Sequence, residues 1–246
     1  MNFMEIEYAG FRSWPAFEES ECDGVVLRFS QGHTKRANSA NILTHQEDDY
    51  STLVSSCEDY FEKKGLPCIF RLPSYCDNQQ LDTYLEDSGY KMLDRSLILH
   101  RSLNESSFDS PALVTKNSRE WMQSYCAIRG FNMSEHEAHL EILERIQDNV
   151  FMAVLVEDGI EVACGIGVIS GDYFGVFDVV TKESMRNMGY GTKILNGMLT
   201  WAITNGATKA YLQVVADNHS AISLYKKLKY QTCYEYWYRI NAKDKK

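Results

Sequence analysis

Apolar and polar positions follow two different periods along this chain. Short apolar runs or two-residue alternation in the C-terminal half predict strands at residues 112–116, 150–156, 162–169, 173–181, 210–215 and 232–240. Apolar spacings of three and four residues predict helices at residues 118–128, 135–147, 193–204 and 218–228. Ser118 and Ser134 are the expected caps of the first two helices, and Asp158-Gly159 predicts a hairpin turn. The two periods together predict an α/β fold with a mixed sheet.

The N-terminal half repeats this order of elements. Its patterns predict strands at residues 24–30, 68–72 and 91–100 and helices at residues 48–64 and 78–87. At an offset of about 140, Asp77 falls on Asp217 and Tyr90 falls on Tyr230. We interpret this order as an internal duplication; chance similarity between two unrelated α/β segments is the alternative. Ser, Asp and Pro at residues 106–111 favour a boundary there, so the predicted domains are residues 1–108 and 109–246.

Composition places the chain among ordinary globular proteins, with 44% hydrophobic and 24% charged residues. No apolar stretch approaches the length of about 18 residues that a membrane span needs, and the N-terminus has no signal pattern. We therefore expect a cytoplasmic protein without a membrane partner. The seven cysteines are scattered and form no C-x-x-C pair, which argues against a disulfide framework and against a metal site.

Negative charge is confined to one half of the chain. Of the net charge of −9, all belongs to residues 1–110, which hold 19 acidic and 10 basic residues. Such a surface repels phosphates and argues against a nucleic-acid partner, while it mildly favours amine-bearing partners. The simpler interpretation is that the acidity keeps the protein soluble. The sequence carries no signal for the oligomeric state.

A glycine-containing loop separates the predicted strand at residues 173–181 from the helix after it. It reads R-x-x-G-x-G and consists of Arg186, Asn187, Met188, Gly189, Tyr190, Gly191 and Thr192. Glycines allow tight turns and a close approach of a ligand to the main chain, and the N-terminus of the next helix attracts anions. The loop is therefore a candidate anion cradle with a cation, Arg186, in front of it.

A second motif, N-x-x-A-x-x-L-Y-x-x-x-x-Y, runs from Asn218 to Tyr230. The two motifs at this separation resemble the GNAT superfamily of N-acetyltransferases, over roughly residues 112–241. The resemblance implies acetyl-CoA as the cosubstrate and transfer of its acetyl group to an amine. It also implies that the main chain around Val179 and Val180 contacts the pantetheine arm and that Asn218 contacts CoA. Tyr225 matches the general acid of the family.

Each assigned residue also has a purely structural interpretation. Tyr225 could be a core tyrosine, Arg186 a surface cation and Asn218 a helix cap. The general base is open: Asp178, Glu183 and a chain of waters are the candidates. The expected oxyanion donor is the main-chain N–H of Val179 or Val180. Lys229-Tyr230 departs from the Gly-Phe that is usual in the family, so the preceding helix lacks a glycine at its end.

The N-terminal half lacks the cradle. At the position of the loop it has His45-Gln46-Glu47-Asp48-Asp49-Tyr50, whose carboxylates suit a helix start but would repel a pyrophosphate. Leu85 stands where the acid tyrosine would be. We therefore predict two GNAT-like domains in tandem, of which the first is degenerate and the second carries the acetyl-CoA site.

Two further segments have no assigned role. Arg28, Arg36 and Asn38 belong to a polar, partly basic segment that could bind an acceptor at the domain interface, or could be a loop held by its own polar groups. The last strand is rich in Tyr and Trp and could line an acceptor pocket or a core. The leading hypothesis is an N-acetyltransferase for a small or amino-acid-like amine. The alternatives are a protein N-terminal or lysine acetyltransferase and a non-catalytic acyl-CoA sensor.

Overall fold

The computed structural model describes residues 2–22, 24–44, 49–103 and 110–241. These residues form two compact units that interleave along the chain. Unit 1 comprises Met1–Pro15, Leu99–Gln213 and Asn218–Gln231, and unit 2 comprises Ala16–Ile98, Val214–Asp217 and Thr232–Lys246. The sequence suggested a single cut between residues 108 and 109, whereas the first helix belongs to unit 1 and most of the last strand to unit 2. Most of the predicted boundary segment, residues 106–109, lies outside the described residues.

Helices and strands are interspersed along the chain, which confirms the predicted mixed α/β fold. The helices are α1 (Phe3–Ser13), α2 (Tyr50–Glu62), α3 (Gln79–Asp87), α4 (Ser118–Arg129), α5 (Glu137–Glu144), α6 (Tyr190–Thr204) and α7 (His219–Lys227). The strands are β1 (Glu18–Cys22), β2 (Val25–Phe29), β3 (Ser39–Ile42), β4 (Ile69–Pro73), β5 (Tyr90–Ser102), β6 (Val114–Thr115), β7 (Asn149–Glu157), β8 (Ile160–Ser170), β9 (Tyr173–Thr181), β10 (Lys209–Val215) and β11 (Gln231–Asn241).

Unit 1 is built on strands in the order β6-β7-β8-β9-β10. The pairs from β6 to β9 are antiparallel, whereas β9 and β10 run parallel. Helix α6 covers one face, where a Cβ at Gly165 of β8 would lie 3.0 Å from Met198 Sδ. Helix α1 and its end cover the other face, where Trp14 stacks on Phe177 of β9. Because successive side chains of a strand point to opposite faces of the sheet, neighbouring residues of these strands pack against different helices.

Two helix starts in unit 1 differ from the expectation. Asn117, not Ser118, caps α4. The Asn117 side chain accepts from the Glu120 N–H, and the Glu120 carboxylate accepts from the Asn117 N–H. A 3₁₀ turn, Met133–Glu135, precedes α5, and the Asn132 side chain accepts from the Ser134 N–H. In both places an asparagine just upstream supplies the acceptor, so the predicted serine caps Ser118 and Ser134 were wrong.

Unit 2 contains strands in the order β1-β2-β3-β4-β11-β5. One face of this sheet packs against α2 and α3 in an apolar core, whose buried members include Leu27, Ile42, Phe61, Phe70 and Leu85. The last strand of the chain, β11, pairs antiparallel with β4. Tyr234, Tyr236 and Tyr238 on this strand are all buried, as in the core interpretation of the aromatic strand.

The polar segment of unit 2 is held by its own hydrogen bonds. The Asn38 side chain accepts from the N–H groups of Ser30 and Gly32 and donates to the carbonyls of His33 and Thr34. The buried Arg28 donates to Glu19 and to the carbonyl of Arg36. These contacts favour the structural interpretation of Arg28, Arg36 and Asn38.

Three pairs of equivalent elements in the two halves start at the same separation. Helices α2 and α6 begin at Tyr50 and Tyr190, and α3 and α7 begin at Gln79 and His219, so each pair is 140 positions apart. Strands β4 and β10 begin at Ile69 and Lys209, with the same separation. The offset that the sequence suggested therefore recurs in the element boundaries.

Candidate functional site

The R-x-x-G-x-G loop joins β9 to α6 through two left-handed residues. After β9 ends at Thr181, the chain makes a 3₁₀ turn, Glu183–Met185. Asn187 then has φ +63° and Gly189 has φ +85°, and α6 starts directly afterwards. A non-glycine residue at positive φ is uncommon, although asparagine tolerates it better than most. The two left-handed residues turn the main chain around the start of α6.

Helix α6 begins without a side-chain cap. Gly189 occupies the cap position and makes no side-chain hydrogen bond, while its carbonyl accepts from the N–H groups of Thr192 and Lys193, both at 3.0 Å. The N–H groups of Tyr190 and Gly191 belong to the first turn, where a helix has no acceptor of its own to offer. The helix starts at Tyr190 rather than at residue 193 as predicted, because the loop residues themselves form its first turn.

The two loop glycines are needed for different reasons. Gly189 has open space around it, so its role is the left-handed conformation. A Cβ at Gly191 would lie 3.1 Å from Leu224 Cδ2 of α7 and 3.8 Å from Thr181 Oγ1 at the end of β9. Gly191 therefore marks the place where β9, α6 and α7 converge.

The side chains of the loop are largely exposed. Arg186 is 53% exposed, and its guanidinium lies 3.8 Å from Glu183 Oε1, which is itself 88% exposed. Asn187 and Met188 are exposed, Thr192 is half-buried and Tyr190 is buried. A surface pair at this separation is weak. Arg186 is therefore available to an anion at the start of α6.

The parallel pairing of β9 with β10 stops short of the loop. Paired residues run from Tyr173 with Lys209 to Val176 with Leu212, whereas β9 continues to Thr181 and β10 to Val215. On its other side, β9 stays paired with β8, where Val180 opposes Cys164. The last residues of β9, including Val179, therefore lie beyond the parallel pairs that β9 forms with β10.

A β-bulge places Asp178 in this unpaired part of β9. The pairing with β8 shifts between Cys164, which opposes Val180, and Ile166, which opposes Phe177. Asp178 has φ +47°, a left-handed conformation inside a strand. Bulges redirect side chains and occur often beside active sites, and the strained conformation costs about 1–3 kcal/mol. The bulge turns Asp178 out of the regular alternation of the strand.

Asp178 meets a histidine that the sequence analysis did not identify. His139 Nε2 of α5 lies 2.8 Å from Asp178 Oδ2, with the His139 side chain 4% exposed and that of Asp178 25% exposed. The His139 ring lies against Trp14 at 5.3 Å and Tyr125 at 5.5 Å between centroids. Burial, together with the charge of Asp178, raises the pKa of Tyr125 to about 12. The only hint in the sequence was the spacing of His136 and His139 on one helical face, which does not indicate a strand partner.

Tyr225 and Asn218 both lie at α7. The Asn218 side chain accepts from the Ala221 N–H at 3.2 Å and so caps the helix, as one of its two interpretations required. Tyr225 directly follows Leu224, the residue that contacts Gly191, and its ring packs edge-on against Tyr230. Burial raises the pKa of Tyr225 to about 12, so its phenol keeps its proton at neutral pH. A phenol that stays protonated at neutral pH is a suitable proton donor.

The remaining sequence expectations concern membrane-spanning helices, metal-binding groups and the N-terminal counterpart of the loop. Within the described ranges, no helix is long and apolar enough to cross a membrane. No group of three or more His, Cys, Asp or Glu side chains suited to a metal occurs among the residues that the structure describes. Four residues of the predicted degenerate loop, 45–48, lie outside the described part of the chain.

The fold resembles solved N-acetyltransferases over nearly the whole chain. A GCN5-related N-acetyltransferase from Kribbella flavida superimposes with a TM-score of 0.73 at 15% identity, covering 97% of this chain and 95% of that one. A tandem GNAT protein from the clavulanic acid biosynthesis pathway gives a TM-score of 0.65 at 11% identity, over 96% and 88% of the two chains. At such identities these similarities establish the fold.

Sequence relatives extend the similarity from fold to family. A family model described as "Probable histone acetyltransferase Rv0428c C-terminal" matches residues 2–239. The uncharacterized N-acetyltransferase YobR of Bacillus subtilis (strain 168) is 30% identical over 244 residues, covering 96% of this chain and 97% of that protein. The chain therefore belongs to the family that this model describes, a family of N-acetyltransferases with the GNAT fold, and is an acyltransferase.

Proposed function

We propose that the protein transfers an acetyl group from acetyl-CoA to the primary amine of a small or amino-acid-like acceptor. The observation that carries the proposal is the convergence of β9, α6 and α7 at Gly191. Three features belong to the elements that converge there. The start of α6 binds the pyrophosphate of the cosubstrate, the edge of β9 binds its pantetheine arm, and Tyr225 of α7 donates a proton to the leaving thiolate.

The start of α6 fits the pyrophosphate of acetyl-CoA. Its first-turn N–H groups and the positive end of the helix dipole favour phosphate, and no capping side chain competes for them. Arg186, exposed beside the loop, adds a cation. The side-chain oxygen of Asn218 caps α7, so its amide NH₂ can donate to the cosubstrate. Acetyl-CoA supplies the acetyl group; the chain supplies the groups that bind and orient it.

The strand edge of β9 fits the pantetheine arm and the reacting carbonyl. The main-chain groups of β9 after Val176 lie past its last pair with β10, so they can form hydrogen bonds with the amides of the pantetheine arm. The N–H of Val179 or Val180 is the proposed donor to the oxyanion that forms during transfer. A main-chain donor held in a sheet is pre-oriented, which is the property that makes such donors effective.

Proton transfers are assigned to two side chains. Tyr225 protonates the departing thiolate, which its raised pKa permits throughout the physiological range. Asp178 takes the proton from the ammonium of the acceptor before attack. Glu183 is a weaker candidate because it is 88% exposed in the 3₁₀ turn and pairs with Arg186.

The location and organisation of the enzyme follow the same reasoning. No disulfide joins the cysteines whose side chains the structure describes, which supports a cytoplasmic protein. The constant separation of 140 positions between equivalent elements supports two tandem GNAT-like domains. In the first domain, the buried Leu85 replaces the acid tyrosine, so we assign catalysis to the second domain alone.

A thiol-release assay with purified protein, acetyl-CoA and a panel of amines tests the function. The panel contains small amines, amino acids and lysine-bearing peptides, because the matching family carries a histone acetyltransferase description. We expect release with a small amine and a mass increase of one acetyl group on it. Release with peptides alone would support the protein acetyltransferase alternative. Calorimetric binding of CoA without turnover on any amine would support the sensor alternative.

A further inference from the structure

The pair of His139 and Asp178 goes beyond the site that the two sequence motifs describe. Asp178 Oδ2 and His139 Nε2 are both buried and lie 2.8 Å apart, at an angle outside that of an aligned hydrogen bond, while the Asp178 side chain as a whole keeps 25% exposure. The buried oxygen therefore faces the histidine, and another part of the same side chain reaches solvent. A close contact at one oxygen limits the directions that the carboxylate can take.

The surroundings of His139 keep its ring from turning. Trp14, Trp121 and Tyr125 lie at 5.3, 6.4 and 5.5 Å between ring centroids, and the last two meet the imidazole edge-to-face. Such packing leaves few rotamers for a buried ring. The charged and titratable groups near the pair include Tyr125, Cys126 and Arg129 of α4, His136 before α5 and Cys164 of β8, with Glu135 acting on His136 and Glu161 on Cys164. The carboxylate that pairs with the His139 ring is that of Asp178.

We propose that His139 is a positioning residue, which pairs through its Nε2 with Asp178 Oδ2 and holds the other carboxylate oxygen toward the amine of the acceptor. This inference rests on the proposed function. The acceptor ammonium gives one proton to the free oxygen of Asp178. The neutral nitrogen then forms a bond to the acetyl carbon while the carbon–sulfur bond breaks and the thiolate takes a proton from Tyr225. The new amide nitrogen gives up its second proton, which returns through solvent to the Tyr225 phenolate. Asp178 afterwards releases its proton to solvent.

The bulge explains why a positioning residue is needed. Asp178 reaches this place only through a left-handed conformation in a strand, at φ +47°. A short side chain on a strained main chain can occupy several directions unless a partner holds it. The left-handed conformation also determines the variant to use, because asparagine tolerates it and removes only the charge. Asp178→Asn is thus a better probe than Asp178→Ala.

The first test detects the contact between His139 and Asp178 by NMR and needs no enzymatic turnover. In uniformly ¹⁵N-labelled protein, we expect the Nε2 shift of His139 to change in Asp178→Asn, because the ring loses its carboxylate acceptor. His100 serves as the internal reference, since it packs against Tyr173 at the opposite end of β9. A His139 Nε2 shift that is the same in both proteins would overturn the proposal, whatever the activity of the enzyme.

The second test compares two variants with a matched control. His139→Leu removes the donor and His139→Gln keeps one, while His100→Gln changes a half-buried histidine outside the site. We expect kcat/KM to fall about tenfold to hundredfold in His139→Leu, a typical penalty for a misplaced group. We also expect its acidic limb to move to higher pH, because a lost donor disfavours the charged carboxylate. His139→Gln should recover most of both effects, with KM for acetyl-CoA unchanged.

The possible results separate the two proposals. Equal losses in His139→Leu and His139→Gln with an unmoved acidic limb would show that His139 only packs the core, and would overturn the positioning role. Urea unfolding midpoints of both variants show whether a loss comes from misfolding instead of from the site. If the wild type transfers acetyl to no amine, the proposed function fails, and the nitrogen shift still decides whether the pair exists.

Discussion

Helices α2 and α6 begin 140 positions apart, at Tyr50 and Tyr190, and the two starts differ in charge. Gly189 leaves the start of α6 without a side chain, in a left-handed conformation. Asp49 caps α2 with its own carboxylate, which accepts from the Thr52 N–H at 3.1 Å. The same place in the order of elements thus offers free N–H donors in one unit and a fixed negative charge in the other. Element order is shared, and the residue at the cap decides whether an anion can bind.

The helices that follow differ in the same way. Tyr225 of α7 is half-buried beside the convergence point of unit 1, whereas Leu85, 140 positions earlier in α3, is fully buried in the core of unit 2. A third difference runs in the opposite direction. Gly89 follows α3 with φ +91°, while Lys229 follows α7 with φ +62°. Unit 2 therefore has the more favourable helix end, whereas unit 1 has the tyrosine to which we assign proton donation.

The largest expected effect comes from removing the proton donor of unit 1. Tyr225→Phe should lower kcat by about 10²–10⁴-fold, the usual range for a general acid, and leave CoA affinity unchanged. Thiol release and calorimetry measure the two quantities. Tyr84→Phe in α3 is the matched control and should change neither. Unaltered turnover in Tyr225→Phe would remove the general-acid assignment.

The alkaline behaviour of the wild type follows from the same residue. A phenol donates only below its pKa, and burial raises the pKa of Tyr225 to about 12. The rate should therefore show no loss that depends on Tyr225 up to about pH 10, where an ordinary tyrosine is half ionised.

Giving α6 the cap of α2 should abolish most CoA binding. Gly189→Asp places a carboxylate at the helix start, and we expect CoA affinity to fall at least about tenfold, or about 1.4 kcal/mol. Gly189→Asn has the same shape without the charge and tolerates positive φ, so its loss should be smaller. Calorimetry on both variants measures the difference. Equal losses would mean that shape, and not charge, excludes the ligand.

Arg186 should make a moderate, salt-dependent contribution. We expect Arg186→Ala to weaken CoA binding about fivefold, since an exposed ion pair contributes up to about 1 kcal/mol. The loss should shrink at high salt because screening weakens exposed charges. Arg145→Ala, which removes an exposed arginine paired with Glu141 on α5, should leave affinity unchanged. A loss that is independent of salt would contradict an electrostatic role.

The helix ends allow a reciprocal exchange between the units. Lys229→Gly should stabilise the protein by about 1 kcal/mol, because a side chain at positive φ is strained. Gly89→Ala should destabilise it by a similar amount for the same reason. Urea unfolding measures both. A destabilised Lys229→Gly would show that the lysine side chain contributes more than the strain costs.

The smallest effect concerns the cap of α2. Hydrogen bonds from Thr52 hold the pKa of Asp49 below its usual value. A lowered folded pKa adds stability above the unfolded pKa, and that stability is lost as pH falls below about 4. Asp49→Ala should therefore lower the urea midpoint slightly at pH 7, and the difference from wild type should disappear in acid. A difference that persists in acid would have another origin.

The sequence was sufficient for local features. Apolar periods located most strands and helices, and the loop from Arg186 to Thr192 was recognised because glycine spacing is a local signal. The sequence showed that α7 lacks a glycine at its end, and the structure adds that Lys229, at that place, is left-handed. Helix α1 and strands β1 and β3 escaped prediction, because short or polar elements depend on what they pack against.

The division of the chain was harder to predict than its elements. The sequence suggested consecutive domains, whereas the compact units exchange the first helix and most of the last strand. No local pattern records which unit a terminal segment joins, because that choice depends on packing between residues far apart in sequence.

By itself, the sequence determined the glycine-containing loop before α6, the motif from Asn218 to Tyr230 and the repeat of elements at a separation of 140, all of which depend on neighbouring residues. Only the tertiary structure decided the partner of Asp178. His139 lies 39 positions earlier on a helix, and a one-residue bulge in β9 turns the carboxylate toward it. Bulges and long-range contacts arise from how a whole sheet pairs and packs, so their energy has no counterpart in any short stretch of sequence.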